Sequence, residues 1–194
     1  MDRKTEYEIE EAFVNRWSPR SFTGESIQEE TLNRIFEAAR WAPSSFNSQP
    51  WRYLYSIKGD DNWNMYLDFL VEFNRMWASN AGALIVILSR KTFEKEGEFS
   101  PTHQFDTGAS WQNMALQATS MGFHMHGIGG FDAKKARERL GVPEEFDIIA
   151  MAAIGVKDQP ERLPDKLRGS ETPSDRLTVA DISRKGLFDK DIWS

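Results

Sequence analysis

Residues 83–88 read ALIVIL, an unbroken apolar run bounded by polar residues. Side chains alternate across a strand, so a strand apolar at every position must be covered on both faces. The run therefore predicts a sheet with helices packed on each side, and with 194 residues and 40% hydrophobic content the chain can bury one substantial core. A single domain spanning 1–194 is the expected organisation.

The flanking segments supply those helices and more strands. Ile9, Ala12 and Phe13 at helical spacing predict a helix over 5–15, broken by Pro19, which delivers Arg16, Trp17, Ser18 and Arg20 into a loop. Ser26 and Glu29 have capping-box spacing ahead of Leu32, Ile35, Phe36 and Ala39, a helix ending near Trp41. WRYLYSI at 51–57 reads as a strand, 62–73 as a helix, and 103–121 as a long helix. That long helix is unusual for small residues, and Gly108 in its interior implies close approach of another element, a subunit interface being one candidate. Strands are predicted at 123–128 and 148–156, and a helix capped by Asp132 and stopped by Gly141 and Pro143 lies between them. Strands alternating with helices give an α/β or α+β layered sandwich, with strand order left open. Beyond Val156 the chain is polar and proline-rich, either a disordered tail or a docking arm.

Charge and composition narrow the function. A formal net charge of −6 argues against nucleic acid or an anionic membrane as the main partner. The absence of cysteine excludes disulfides, thiolate metal sites and a cysteine nucleophile. The acidic N-terminal stretch lacks the apolar core of a signal peptide, and the apolar run at 81–88 is too short to span a bilayer, so a cytoplasmic setting is expected.

Four clusters can carry chemistry. Arg16 and Arg20 flank Ser18 with forked donors suited to phosphate, although the same residues also make a plain turn with solvated arginines. APSSFNSQPW at 42–51 offers Ser44, Ser45, Asn47 and Gln49 between Pro43 and Pro50, a set suited to a flat heterocycle edge or to an ordinary bonded loop. Gly127, Ile128, Gly129 and Gly130 let backbone approach a ligand closely, but the spacing is not that of a dinucleotide-binding fingerprint. His124 and His126 share a strand face and with His103 would complete a metal triad, yet no nearby carboxylate or cysteine supplies ligand spacing, and no metal is expected. No protein nucleophile or general base stands out, so a cofactor is needed for difficult chemistry.

In combination and in order, these segments resemble the nitroreductase family of FMN-dependent oxidoreductases. RWSPRSF, APSSFNSQPW, GIGGFD followed by a helix and LGVP, and SDRLTVADI each match a family element, and together they cover nearly the whole chain. The resemblance implies an α+β, three-layer α/β/α sandwich with a mixed sheet, in a homodimer whose C-terminal arm, 157–194, packs on the partner. It implies that Arg16, Ser18 and Arg176 hold the FMN phosphate, that Trp17 contributes backbone and wall, and that Arg20 lies near the flavin pyrimidine. Pro43, Ser44, Ser45 and Asn47, with Gln49 in the same segment, would line the flavin of the partner subunit. Ile128, Gly129 and Gly130 would sit against the isoalloxazine, with a glycine amide at N5.

The implied activity is ping-pong hydride transfer from NADPH or NADH through the flavin to an electrophile such as a nitroaromatic or quinone. Alternatives on the same scaffold are dehalogenation, azoline oxidation or flavin fragmentation. A non-catalytic FMN-binding module is also open, its nicotinamide site blocked by aromatics such as Trp63, Phe69 or Trp77. The chain departs from the family in two places. Ser174 stands where a second basic residue is common, so phosphate binding is expected either to be weaker or to use Arg168 or Lys166 instead. The 90–105 region is too short for lid helices.

Overall fold

The computed structural model describes residues 3–93 and 97–188. Its helices are α1 (Glu11–Asn15), α2 (Glu29–Arg40), α3 (Trp63–Phe69), α4 (Glu72–Ala78), α5 (His103–Ser120), α6 (Ala133–Leu140), α7 (Asp165–Arg168) and α8 (Val179–Ile182). Its strands are β1 (Trp51–Ile57), β2 (Ala83–Arg90), β3 (His124–Ile128) and β4 (Phe146–Gly155), in the order β1-β2-β4-β3.

The apolar run behaves as its composition demands. Leu84, Val86 and Leu88 of β2 face one core with residues of α3, α4 and α6, while Ala83, Ile85 and Ile87 face a second core with residues of α2 and α5. β4 divides likewise, with Met151 and Ala153 on the first face and Ala152 and Ile154 on the second. Burial of a large aliphatic side chain is worth about 1.5–3 kcal/mol, so a strand contributing to two cores anchors both layers.

The expected mixed sheet is corrected: among the described residues every strand pair is antiparallel. β1 and β2 are joined by two helices, and Ile57 lies opposite Ala83, so the excursion returns the chain to the end of the sheet it left. β2 and β3, joined across α5, do run in the same direction, but β4 is inserted between them and pairs antiparallel with both.

Three helix boundaries also differ. α1 is one short stretch, because the side chains meant to anchor a longer helix, Ile9 and Phe13, are exposed and provide no packing. The Ser26 capping box is not used; Gln28 precedes α2 without a side-chain cap. Residues 25–27 run instead against Gly82, where an added Cβ would lie 2.8 Å from the Glu25 carbonyl oxygen, and this contact buries Ile27. The 62–73 segment breaks at Leu70, which forms a β-bridge with Phe131.

Candidate functional site at the Arg16–Arg20 loop and the glycine turn

Helix α1 leaves its last carbonyls unsatisfied, and an arginine from outside the loop takes them. Arg3 Nη1 donates to the carbonyls of Val14 at 2.7 Å and Arg16 at 2.9 Å. Arg16 Nη1 donates weakly to Ser18 Oγ at 3.4 Å, and Arg176 Nη1 donates to Ser174 Oγ at 3.0 Å and to the Asp175 carbonyl at 3.0 Å. Burial pulls Arg16 below its ordinary pKa, and the neighbouring Arg176 and Arg3 cations pull it further. Arg3 is lowered by burial and by Arg176, against a partial opposing pull from Asp175. Arg3, Arg16 and Arg176 make no ion pair among the described residues, and with only Asp175 and Glu6 as acidic side chains beside Arg3 and Arg176 along the shared cavity, the three cations outnumber them. Arg3 and Arg176 also line a cavity of about 620 Å³ with Tyr7, Phe13, Val14 and Leu177.

The loop then runs along β3. Trp17 meets His124 edge-on at 6.4 Å, and His126 packs on Trp77 at 4.6 Å. His126 Nδ1 lies 2.9 Å from the Pro19 carbonyl, which can only accept, so this nitrogen carries a proton. Burial lowers the pKa of both histidines, helped by Lys157 and Arg16 at His124 and by Arg20 at His126. Burial thus favours their neutral forms, although the hydrogen bond to the Pro19 carbonyl opposes it at His126. His103 belongs elsewhere: it is buried with Nδ1 2.9 Å from Ser89 Oγ. Ser89 lies opposite Asp147 and His124 opposite Gly155, so His103 and His124 are separated by roughly 25 Å of β4, and the histidine triad is not assembled.

Arg20 is held from behind. Its backbone N–H and that of Ser21 each donate to Glu171 Oε1 at 2.8 Å, so a carboxylate from the C-terminal segment clamps the loop. Arg20 Nε is buried with no hydrogen-bond partner among the described residues. A buried, unsatisfied guanidinium nitrogen is costly and is a natural donor to a carbonyl-rich ligand.

At the end of β3 the two glycines have different surroundings. The Gly130 carbonyl accepts from Val71 N at 3.2 Å and Asn74 Nδ2 at 2.9 Å, and a Cβ on Gly130 would lie 2.6 Å from that Asn74 nitrogen. A Cβ on Gly129 would meet no described atom within 4 Å. A side chain at Gly130 would therefore have to displace Asn74, while Gly129 faces open space.

The 43–49 segment has its own strained form. Phe46, Asn47 and Gln49 all adopt positive φ, at 50°, 54° and 47°. Non-glycine residues there carry strain of order 1–3 kcal/mol each. Asp106 of α5 accepts from Ser45 N at 3.0 Å, and Ser44 Oγ accepts from Gln49 N at 3.0 Å. Pro43 and Asn47 are exposed, and Phe46 is 92% exposed. This segment leads into edge strand β1, whereas the glycine turn leaves edge strand β3, roughly 15 Å away across the inner strands. One chain thus brings Arg16, Trp17, Ser18, Arg20 and Arg176 into one region and places Ile128–Gly130 at the end of the strand that Trp17 and Pro19 pack on. It does not bring Pro43, Ser44, Ser45, Asn47 and Gln49 to them.

Several contributors carry no sequence signal. Arg3 lies in an acidic stretch, and Glu171 and Asn74 act across 150 and 56 residues. Arg168 does not compensate for Ser174: it is engaged by Asp165 at 2.7 Å and by the Leu163 and Glu161 carbonyls at 2.9 Å. Trp63, Phe69 and Trp77, invoked as a nicotinamide blockade, are core residues.

The nitroreductase family model matches residues 14–62 and 66–156. The chain belongs to the nitroreductase family. It is 28% identical over 146 residues to a putative NADH dehydrogenase/NAD(P)H nitroreductase of Archaeoglobus fulgidus, covering 72% of this chain and 80% of that one. A crystal structure of an oxidoreductase containing FMN superposes with a TM-score of 0.93 at 41% identity, covering 96% of each chain. A putative nitroreductase from Desulfovibrio desulfuricans, in complex with FMN, shares the fold at a TM-score of 0.72 and 23% identity, covering 92% of this chain and 96% of that one. The open glycine turn and the arginine cluster together make up the candidate functional site.

Proposed function

We propose that this nitroreductase-family chain is an FMN-dependent oxidoreductase that uses NADPH or NADH to reduce a small electrophile such as a nitroaromatic or quinone. The observation that carries the reading is the positive Arg3–Arg16–Arg176 cluster beside the β3 strand that ends in a glycine turn open on one side. Arg16, Ser18 and Arg176 suit a phosphate monoester, because forked guanidinium donors match its oxygens. Trp17 walls that region. The unsatisfied Nε of Arg20 suits the pyrimidine carbonyl edge, where its charge favours the electron-rich reduced ring. The open face of Gly129 and the adjoining Ile128 and Gly130 suit a flat ring laid against backbone. Bound FMN would accept a hydride from the nicotinamide and return the electrons to the acceptor.

In this reading the protein is a homodimer of single-domain subunits, with 157–194 as the arm on the partner, and Pro43, Ser44, Ser45, Asn47 and Gln49 complete the partner's site. Three features support it. The 43–49 segment lies on the wrong side of its own sheet, Phe105 on α5 is 80% exposed, and a Cβ on Gly108 would meet no described atom within 4 Å. Such a row of apolar and small groups is unusual on a monomer surface.

Anaerobic addition of NADPH, then NADH, to the flavin-loaded protein tests the proposal. Bleaching of the flavin bands and reoxidation by a nitroaromatic are expected. A bound flavin that dithionite reduces but neither nicotinamide does would overturn it.

A further inference from the structure

We propose that Arg3 is a direct ligand of the cofactor phosphate, occupying the role that Ser174 leaves without a cation; this rests on the flavin reading above. The family element SDRLTVADI provides only Arg176 as a cation at this end of the chain, since the residue two positions earlier is Ser174. Arg3 enters the same region from the opposite end. Its Nη1 is fixed by the Val14 and Arg16 carbonyls, which sets the guanidinium plane and leaves Nη2 without a hydrogen-bond partner among the described residues. Its Nε is likewise buried without a partner among the described residues. Arg3 and Arg176 line one cavity together, and Arg176 is itself turned by Ser174 Oγ.

Each neighbour alone explains part of this arrangement. A purely structural arginine clasping two carbonyls does not require two further arginines brought near it, because like charges in partly buried surroundings repel. A dianionic phosphate reverses the sign of that interaction and supplies acceptors for the remaining donors. Ser174 then has a part of its own: it orients Arg176 toward the shared anion, where the more usual basic residue would have been another ligand. The binding element is thereby assembled from both ends of the sequence, and Glu6 Oε2, accepting from Val179 N at 2.7 Å, ties those ends together.

The test compares FMN with riboflavin, which differs only in lacking the phosphate. Flavin-free wild type, R3A and R3K are titrated with each ligand by quenching of flavin fluorescence, at low and moderate salt. Loss of a charge-assisted contact predicts FMN binding weakened about tenfold or more in R3A, an intermediate effect in R3K, and riboflavin affinity unchanged in both. The salt dependence of FMN binding should also become shallower in R3A. If R3A binds FMN as wild type does, Arg3 is not a ligand. Equal loss of FMN and riboflavin would likewise overturn the assignment, since Arg3 would then only support the loop. A wild-type protein that binds riboflavin as tightly as FMN would instead overturn the placement of the phosphate at this cluster, independently of Arg3.

Discussion

Gly129 and Gly130 adjoin in sequence yet should respond to substitution in opposite ways. An alanine Cβ at position 130 would lie 2.6 Å from Asn74 Nδ2 and 3.2 Å from Val71 Cγ2, so the Asn74 amide must withdraw. It then loses its bond to the Gly130 carbonyl, worth about 1 kcal/mol, and releases Trp77 Nε1, which donates to Asn74 Oδ1 at 3.3 Å. Trp77 is 1% exposed, so its stranded N–H adds a penalty of about 1–3 kcal/mol. G130A should therefore destabilise the flavin-free protein by about 2–4 kcal/mol. At Gly129 the added methyl meets nothing described and φ lies outside the left-handed region, so G129A should be neutral or stabilising by up to about 1 kcal/mol. G129V should leave the fold intact and, on the proposed reading, weaken FMN binding, because that side is open to a ligand. Urea unfolding of the flavin-free variants, with N74A and N74A/G130A completing a cycle, measures the difference. The double variant should be no less stable than N74A alone. A G130A protein within 0.5 kcal/mol of wild type, or additive effects in the cycle, would refute the argument.

Three further outcomes follow from the site and the surface. R16A should weaken FMN binding by roughly 10- to 100-fold, read as flavin retained after dialysis, since a charged hydrogen bond contributes about 1.5–3 kcal/mol. Stability of the flavin-free protein should fall as pH drops below about 6.5: burial depresses the folded-state pKa of His124 and His126, so the unfolded chain binds more protons in the window between the depressed and ordinary values. An H124Q/H126Q variant should show a shallower decline between pH 7.5 and 5.5 in denaturant midpoints, and an identical slope would remove the histidines from the account. If the proposed dimer forms through α5, F105E should shift the protein's sedimentation from dimer toward monomer and reduce FMN binding along with it, whereas unchanged sedimentation would remove Phe105 from the interface.

What the sequence reveals and what it hides both follow from contact range. The two-faced burial of β2 is written in consecutive residues, and Asp132 does cap α6, accepting from Lys135 N at 2.9 Å, with Gly141 in the left-handed conformation at its end. The family elements likewise locate the cationic loop and the glycine turn. Strand order is not local: the insertion of β4 between β2 and β3 depends on where α6 returns the chain, and nothing in the spacing of residues 124–155 records it. The break at Leu70 arises from its bridge to Phe131, and the unused Ser26 cap from the packing of residues 25–27 on Gly82. Gly130 looks like a ligand-facing glycine in the sequence; only the position of Asn74 shows that the protein itself crowds a side chain there.

The gathering of Arg3, Arg16 and Arg176 also bears on the lifetime of the protein. On the proposed reading, repulsion among the three cations weakens the junction between the two ends of the chain until a phosphate is bound, and a ligand at one hundred times its dissociation constant would add about 2.7 kcal/mol. Newly made chains lacking flavin would then be more open to proteolysis than loaded ones. On the proposed flavin reading, cofactor supply would then bear on how much of this protein a cell keeps.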